Sequence, residues 1–126
     1  MKKLILLLLP ALCFSCYQAE PNCGHFKTGN YESEITVKGK KKKTLSVRTN
    51  SMVIETYEGK TDTASIRWIN DCEYVLQKTN PKTMQEKKAI DIKILTTSKN
   101  SYTFEFGIVG SDQKQIGTVK RISVFK

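Results

Sequence analysis

The chain has 126 residues, of which 21 are Lys or Arg and 12 are Asp or Glu, so its formal net charge is +9. Its only histidine is His25, and Cys23 and Cys72, the two cysteines beyond the N-terminal leader and Cys16, do not have the C-x-x-C spacing of a zinc site. Carboxylates such as Glu32, Glu34 and Glu105 are scattered singly, without the adjacent nucleophile and base that covalent catalysis requires. The composition therefore argues against an enzyme, a metal site and a bound cofactor.

The N-terminus has the pattern of a secretory signal peptide. A positively charged start, MKK, is followed by eleven uncharged and mostly apolar residues, 4–14. This run is too short to span a bilayer, because a spanning helix needs about 20 residues. The best cleavage position follows Ser15, which predicts a signal peptide over residues 1–15. An ordinary secreted protein, and a leader that is cut elsewhere or not at all, are the alternatives.

Ser15-Cys16 resembles the lipobox of bacterial lipoproteins, in which a small residue precedes a cysteine that takes a diacylglyceryl group. The resemblance implies that Cys16 is the lipid anchor, with acyl chains such as palmitate, and that residues 16–25 are a short tether. Two or more acyl chains hold a protein stably on a membrane. Because no Asp follows Cys16, we expect the protein to be anchored in the outer membrane of a Gram-negative bacterium, on either its periplasmic or its surface face.

Two cysteines remain once the leader is removed and Cys16 is acylated. Cys23 and Cys72 would then lie in a compartment that permits oxidation, and two cysteines allow one intramolecular pairing. Closing their 49-residue separation would contribute about 4 kcal/mol to stability. We therefore predict a disulfide, and the alternative is two free cysteines that pack as small apolar residues.

From Phe26 onward, turn-forming residues recur every 8 to 14 positions, and apolar residues alternate with polar ones between them. A period of two, with many Thr, Val, Ile and aromatic residues, is typical of strands with one buried face. The residues expected to face inward are Tyr31, Ser33, Ile35 and Val37; Leu45 and Val47; Met52 and Ile54; Ala64, Ile66 and Trp68; Cys72, Tyr74 and Leu76; Ile90, Ile92 and Ile94; Tyr102, Phe104, Phe106 and Ile108; and Ile122 and Val124.

These eight runs are joined by short connections, and no convincing amphipathic helix separates them. Consecutive strands joined by tight turns are antiparallel neighbours. The sequence therefore predicts an all-β protein, an antiparallel up-and-down meander of about eight strands that curls into a small barrel or half-barrel. A single domain is expected over residues 26–126.

Two segments resemble motifs of a known family. CGHFKTGNYE (23–32) and WINDCEYVL (68–76) are similar to motifs of small lipocalin-like lipoproteins of Gram-negative bacteria. These calycin-type β-barrel proteins are mostly uncharacterised, and some carry the label DNA topoisomerase IV. The leader, the short chain and the lack of a phosphate-binding loop argue against that activity here. Lipocalins pack a late arginine across an aromatic residue of the first strand, which implies that Arg121 lies against Tyr31.

The second of these segments predicts a hairpin with a tight turn at Asn70-Asp71. Trp68 and Tyr74 would then face the interior from neighbouring strands, close enough to pair. The inward aromatic residues are expected to form core or, alternatively, to line a ligand cavity: Trp68, Tyr74, Tyr102, Phe104 and Phe106.

Basic residues concentrate in KGKKKK (38–43), in 78–88 and in 114–126. Without the two lysines of the leader, 19 basic and 12 acidic residues leave a charge of +7. The first cluster is predicted to be a hairpin loop that lysines keep soluble, and the alternative is attraction to anionic lipid or another anionic envelope component. Nucleic acid is not an expected partner, because no aromatic residues interleave with the lysines.

The sequence thus favours a membrane-anchored envelope lipoprotein whose barrel has a packed core and serves as a structural or interaction module. The alternative is a binding module for a small hydrophobic ligand. Eight-stranded barrels are just wide enough to be filled by side chains or to hold one small ligand, so size alone does not decide between the two.

Overall fold

Eight strands and one short helix form the part of the chain, residues 20–122, that the computed structural model describes. The 3-10 helix Cys23–Phe26 comes first. The strands are β1 (Gly29–Val37), β2 (Lys40–Arg48), β3 (Met52–Tyr57), β4 (Lys60–Asn70), β5 (Glu73–Lys78), β6 (Ile90–Thr97), β7 (Ser101–Ile108) and β8 (Gln115–Arg121). Over these residues no helix is long and apolar enough to cross a membrane. The predicted signal peptide, the anchor Cys16 and the strand residue Val124 lie outside the described residues.

Every strand pairs antiparallel with the next one, and β8 also pairs with β1. Tyr31 on β1 lies opposite Ser46 of β2 on one side and opposite Arg121 of β8 on the other. The sheet therefore closes on itself as an up-and-down barrel, in which both of its edges are paired. The predicted all-β meander of eight strands is confirmed, and it forms a closed barrel.

The two ends of the barrel differ. The 3-10 helix and the β2–β3, β4–β5 and β6–β7 connections lie at one end, which we call the closed end. The other four connections lie at the opposite end, which we call the open end. The longest of these, residues 79–89, joins β5 to β6.

The lysine-rich run is a strand rather than the predicted hairpin loop. Only Lys38 and Gly39 form the turn, with φ of 51° and 75°, and this left-handed pair suffices to join two antiparallel strands. Lys40–Lys43 belong to β2. Of these, Lys41 faces outward, with its Nζ 3.7 Å from Glu34, whereas Lys42 donates a hydrogen bond to the hydroxyl of Tyr57 at 2.9 Å.

The inward and outward faces of β2 and β3 are the reverse of the prediction. Leu45, Val47, Met52 and Ile54 are exposed, whereas Ser46, Arg48 and Val53 are buried. Shifting the phase of a strand by one residue moves its whole set of side chains to the other face. Here Arg48 determines which residues of β2 point inward, because it makes three hydrogen bonds inside the barrel. Val53, the residue opposite it on β3, points inward as well.

The last strand lies earlier in the chain than predicted. It covers Gln115–Arg121, and Ile122 follows it. Its inward positions include Gly117 and Val119, and a Cβ on Gly117 would lie 2.6 Å from the ring of Phe104. At this inward position β8 has a glycine instead of an apolar side chain. The alternation of apolar and polar residues that identifies a strand in the sequence is therefore missing from β8.

A disulfide between Cys23 and Cys72 confirms the predicted pairing, with 5.1 Å between the two Cα atoms. It joins the 3-10 helix to the β4–β5 turn, where Lys27 also forms an ion pair with Asp71 at 3.0 Å. The helix thereby holds Phe26, which is fully buried, across the closed end of the barrel. The disulfide therefore fixes the cover of the barrel to its wall.

Replacing both cysteines of the disulfide with alanine should lower the free energy of unfolding by about 2–4 kcal/mol, because the unfolded chain loses a long covalent loop. Urea denaturation measured by tryptophan fluorescence gives this value. Wild-type protein in excess reductant is the matched control and should lose a similar amount. Equal stability of all three samples would show that the cross-link contributes nothing to the fold.

Candidate functional site

The interior of the barrel is filled at the closed end and hollow at the open end. Large buried side chains fill the closed end, among them Phe26, Tyr31 and Tyr102. Toward the open end lies a cavity of about 390 Å³, lined by side chains from all eight strands and from residues 79–89. This volume lies within the range of small-molecule sites. The fully packed core predicted from the sequence is therefore wrong for the open half of the barrel.

The cavity has two chemically different sides. The apolar wall is formed by inward residues of β5, β6 and β7, namely Leu76, Ile90, Ile92, Phe104, Phe106 and Ile108. The polar wall is formed by inward residues of β1, β2 and β3, namely Ser33, Thr44, Ser46 and Glu55. The reversed faces of β2 and β3 create this asymmetry, because four aliphatic side chains point outward while Ser46, Arg48 and Glu55 point into the barrel beside Val53.

Arg48 forms the bottom of the cavity, where the hollow half meets the packed half. Its guanidinium donates hydrogen bonds to the Phe26 carbonyl at 2.7 Å, to the Tyr102 hydroxyl at 2.8 Å and to the Tyr74 hydroxyl at 3.2 Å. The guanidinium carbon also lies 4.4 Å from the ring centre of Tyr31, a cation–π distance. These contacts replace water around the two terminal nitrogens of a cation that is only 6% exposed, while its Nε is buried without a hydrogen-bond partner.

The environment of Arg48 favours its positively charged form. Burial lowers the pKa of Arg48, but the surrounding tyrosines, above all Tyr74, more than offset this effect, so that the pKa is raised. Burial raises the pKa of Tyr74 and of Tyr31. Arg48 is therefore positively charged at neutral pH, and none of the ion pairs between described residues includes it.

Sequence reasoning missed Arg48 as a site residue. The alternation in β2 places either two aliphatic residues or a serine and this arginine inside the barrel, and hydrophobicity alone favours the aliphatic choice. The partners that reverse the choice are Tyr74 and Tyr102, which lie 26 and 54 residues away in the sequence. Only the closed topology brings them together.

The aromatic residues predicted as core or ligand lining divide between the two halves. Trp68 and Tyr74 form the predicted cross-strand pair, with ring centres 4.6 Å apart. Tyr74 reaches the cavity together with Phe104 and Phe106, whose ring centres are 5.5 Å apart. Tyr102 is buried in the packed half, with its ring 5.0 Å from that of Phe26.

The expected contact between Arg121 and Tyr31 is present at the closed end. The Arg121 guanidinium donates a hydrogen bond to the Tyr31 hydroxyl at 3.1 Å and another to the His25 carbonyl. Its guanidinium carbon also lies 5.4 Å from the ring centre of Phe26. Arg121 therefore holds the 3-10 helix against the barrel, on the far side of the packed layer from the cavity.

Glu55 is the acidic group of the polar wall. Burial raises the pKa of its carboxyl group, whereas the positive charges of Arg48 and Lys78 act in the opposite direction. Within residues 20–122 its carboxylate takes part in no ion pair and in no side-chain hydrogen bond. Glu55 therefore presents a carboxyl group to the cavity that the rest of the barrel does not engage.

Residues 79–89 cover part of the mouth and are fastened to the barrel wall. The Glu86 carboxylate accepts hydrogen bonds from the backbone N–H of Lys82 at 2.7 Å and from Lys78 Nζ at 3.0 Å. These bonds lower the pKa of Glu86. Lys78 also lies 3.4 Å from Asp62 of β4. The mouth of the cavity is therefore bordered by an ion-pair network rather than by free charges alone.

Comparison with known proteins does not identify the chain: no family model matches it, and no significant match is found among curated protein sequences. In the described part of the chain, no three His, Cys, Asp or Glu side chains are grouped closely enough to hold a metal ion.

Replacing Arg48 with leucine should lower the free energy of unfolding by about 2–3 kcal/mol, because the buried carbonyl of Phe26 loses its donor and the tyrosines lose packing. Arg67→Leu is the matched control, since Arg67 is exposed on β4, and it should change stability by about 0.5 kcal/mol or less. Urea denaturation compares the two variants. Equal effects would show that the buried guanidinium does not stabilise the barrel.

Proposed function

We propose that this protein is a membrane-tethered binding module that holds one small, mainly apolar molecule inside its barrel. The observation that carries the proposal is the cavity of about 390 Å³ at the open end, with a continuous apolar wall. A barrel that served only as a structural module would gain stability by filling this space, because close packing contributes dispersion energy. The geometry thus favours a binding module for a small hydrophobic ligand over a structural or interaction module with a packed core.

The apolar wall sets the chemical class of the ligand. Burying each methylene group contributes about 0.8 kcal/mol, so a chain of about ten carbons would gain roughly 8 kcal/mol before the cost of association. That cost is at least about 4 kcal/mol. The net gain is therefore at most about 4 kcal/mol, so we expect a dissociation constant of about 1 mM or weaker from the alkyl chain alone.

The cavity proposal predicts that Ala64→Phe abolishes saturable binding of a neutral hydrophobic dye, N-phenyl-1-naphthylamine. Ala64 is a buried residue of the cavity lining, and a phenyl ring there would occupy much of the space. Ser65→Phe is the matched control, because Ser65 is the next residue and faces outward. Dye fluorescence titrations should show normal binding to the control variant. Loss of binding in both variants, or in neither, would place the dye outside the cavity.

We also propose that the domain is anchored through Cys16. The leader pattern and Ser15-Cys16 support this. At the closed end, the backbone N–H of Asn22 donates a hydrogen bond to Thr97 at 2.8 Å, and Cys23 forms the disulfide. A tether that leaves the barrel there would bring the closed end near the membrane and would direct the open mouth away from it.

The anchor proposal predicts that cells expressing the full chain incorporate labelled palmitate into it and that Cys16→Ser abolishes the labelling. Cys13→Ser is the control, because this cysteine precedes the proposed cleavage position and should leave labelling intact. Membrane fractionation should show the Cys16→Ser protein in the soluble fraction. Equal labelling of the wild type and Cys16→Ser would refute the anchor.

A further inference from the structure

The cavity contains two full charges in its interior, and they are engaged very differently. Arg48 is held by the Phe26 carbonyl, two tyrosine hydroxyls and the faces of aromatic rings. Glu55 has no hydrogen-bonding or ion-pair partner among the described side chains, although it lies on the same wall. A polar group that enters the cavity therefore meets a carboxyl group with free acceptor oxygens.

The mouth of the cavity carries further charges, on residues other than Arg48 and Glu55. Lys78 is paired with Glu86 and Asp62, so its charge is largely balanced where it stands. Lys88 also lines the cavity from the covering connection, and none of the ion pairs between the described residues includes it, so the mouth carries one unpaired positive charge. The interior itself thus contains one cation and one carboxylate, and their charges offset each other at neutral pH.

We propose that Glu55 makes the cavity selective for neutral amphiphiles whose polar end donates a hydrogen bond, such as an alcohol or an amide, and excludes fatty-acid anions. This inference rests on the proposed binding function and specifies its ligand class. The apolar wall receives the hydrocarbon part, and the free carboxylate oxygens receive the donor.

Three other kinds of polar end fit this cavity less well: an anion, a cation and a neutral hydrogen-bond acceptor. A carboxylate ligand would bring a second negative charge close to Glu55 in a poorly solvated space, where like charges repel strongly. An ammonium ligand would pair with Glu55, but Arg48 would then be left in the interior without a compensating charge, because it has no carboxylate ion-pair partner among the described residues. A neutral acceptor such as a ketone would leave the Glu55 oxygens without a donor. A neutral donor satisfies them without adding charge.

The test is displacement of N-phenyl-1-naphthylamine by four ligands of equal chain length: 1-decanol, 2-decanone, decanoate and decylamine. All measurements use the full chain carrying Cys16→Ser, so that no acyl group of its own competes for the cavity. At about pH 8, decanoate is an anion and decylamine a cation. We expect 1-decanol to displace the dye at concentrations about tenfold or more below those of decanoate, with the ketone and the amine also weaker than the alcohol.

Glu55→Gln supplies the decisive variant, since it removes the charge with little change of shape. In this variant decanoate should gain affinity, and the ratio between decanoate and decanol should fall to about threefold or less. Glu105→Gln is the matched control: Glu105 lies on the outward face of β7, between the cavity residues Phe104 and Phe106, and its removal should leave the ratio unchanged.

Failure of the inference and failure of the proposed function give different results. If the dye binds saturably but all four ligands compete equally in the wild type, the selectivity by Glu55 is refuted while the cavity function stands. Tighter binding of decanoate or decylamine than of decanol would refute it as well. If no sample binds the dye, the cavity function is refuted and the inference with it.

Discussion

The structure depends on the burial of one guanidinium group. Arg48 lies in the middle of the barrel, and its hydrogen bonds to Phe26, Tyr74 and Tyr102 connect the 3-10 helix, β2, β5 and β7. Removing a cation from water costs several kcal/mol unless polar partners replace the water. The partners surrounding Arg48 are contributed by distant parts of the chain, so this cost is offset only when the barrel is closed.

The position of Arg48 determines the rest of the interior. Because it points inward, Ser46 also points inward and Leu45 and Val47 point outward. Glu55 of β3 lies opposite Ser46, and because paired residues of neighbouring strands share a face of the sheet, it points inward too. The barrel thus acquires a polar wall facing an apolar one, and the hollow half becomes an amphipathic cavity. The cost is a group of exposed aliphatic side chains on the outer surface of β2 and β3.

Local pattern and simple counting predicted much of this architecture. The two cysteines that remain beyond the leader and Cys16 predicted the disulfide. The alternation of apolar and polar residues located β4 to β7 with the correct inward faces. The same rule failed for β2 and β3, because their phase depends on tyrosines that are distant in sequence. It also failed for β8, where Gly117 stands in place of an apolar residue. A ligand cavity was only the alternative prediction, and its polar wall was missed, because the predicted faces of β2 and β3 placed Arg48 and Glu55 outside the barrel.

In this structure Arg48, and not the aliphatic face of β2, occupies the barrel interior. Nuclear Overhauser contacts measured on isotope-labelled protein test it directly. The structure predicts contacts from the Arg48 side-chain protons to the ring protons of Tyr74 and Tyr102, because the guanidinium bonds to both hydroxyls. Contacts from the methyl groups of Leu45 and Val47 to those rings, with none from Arg48, would contradict the account.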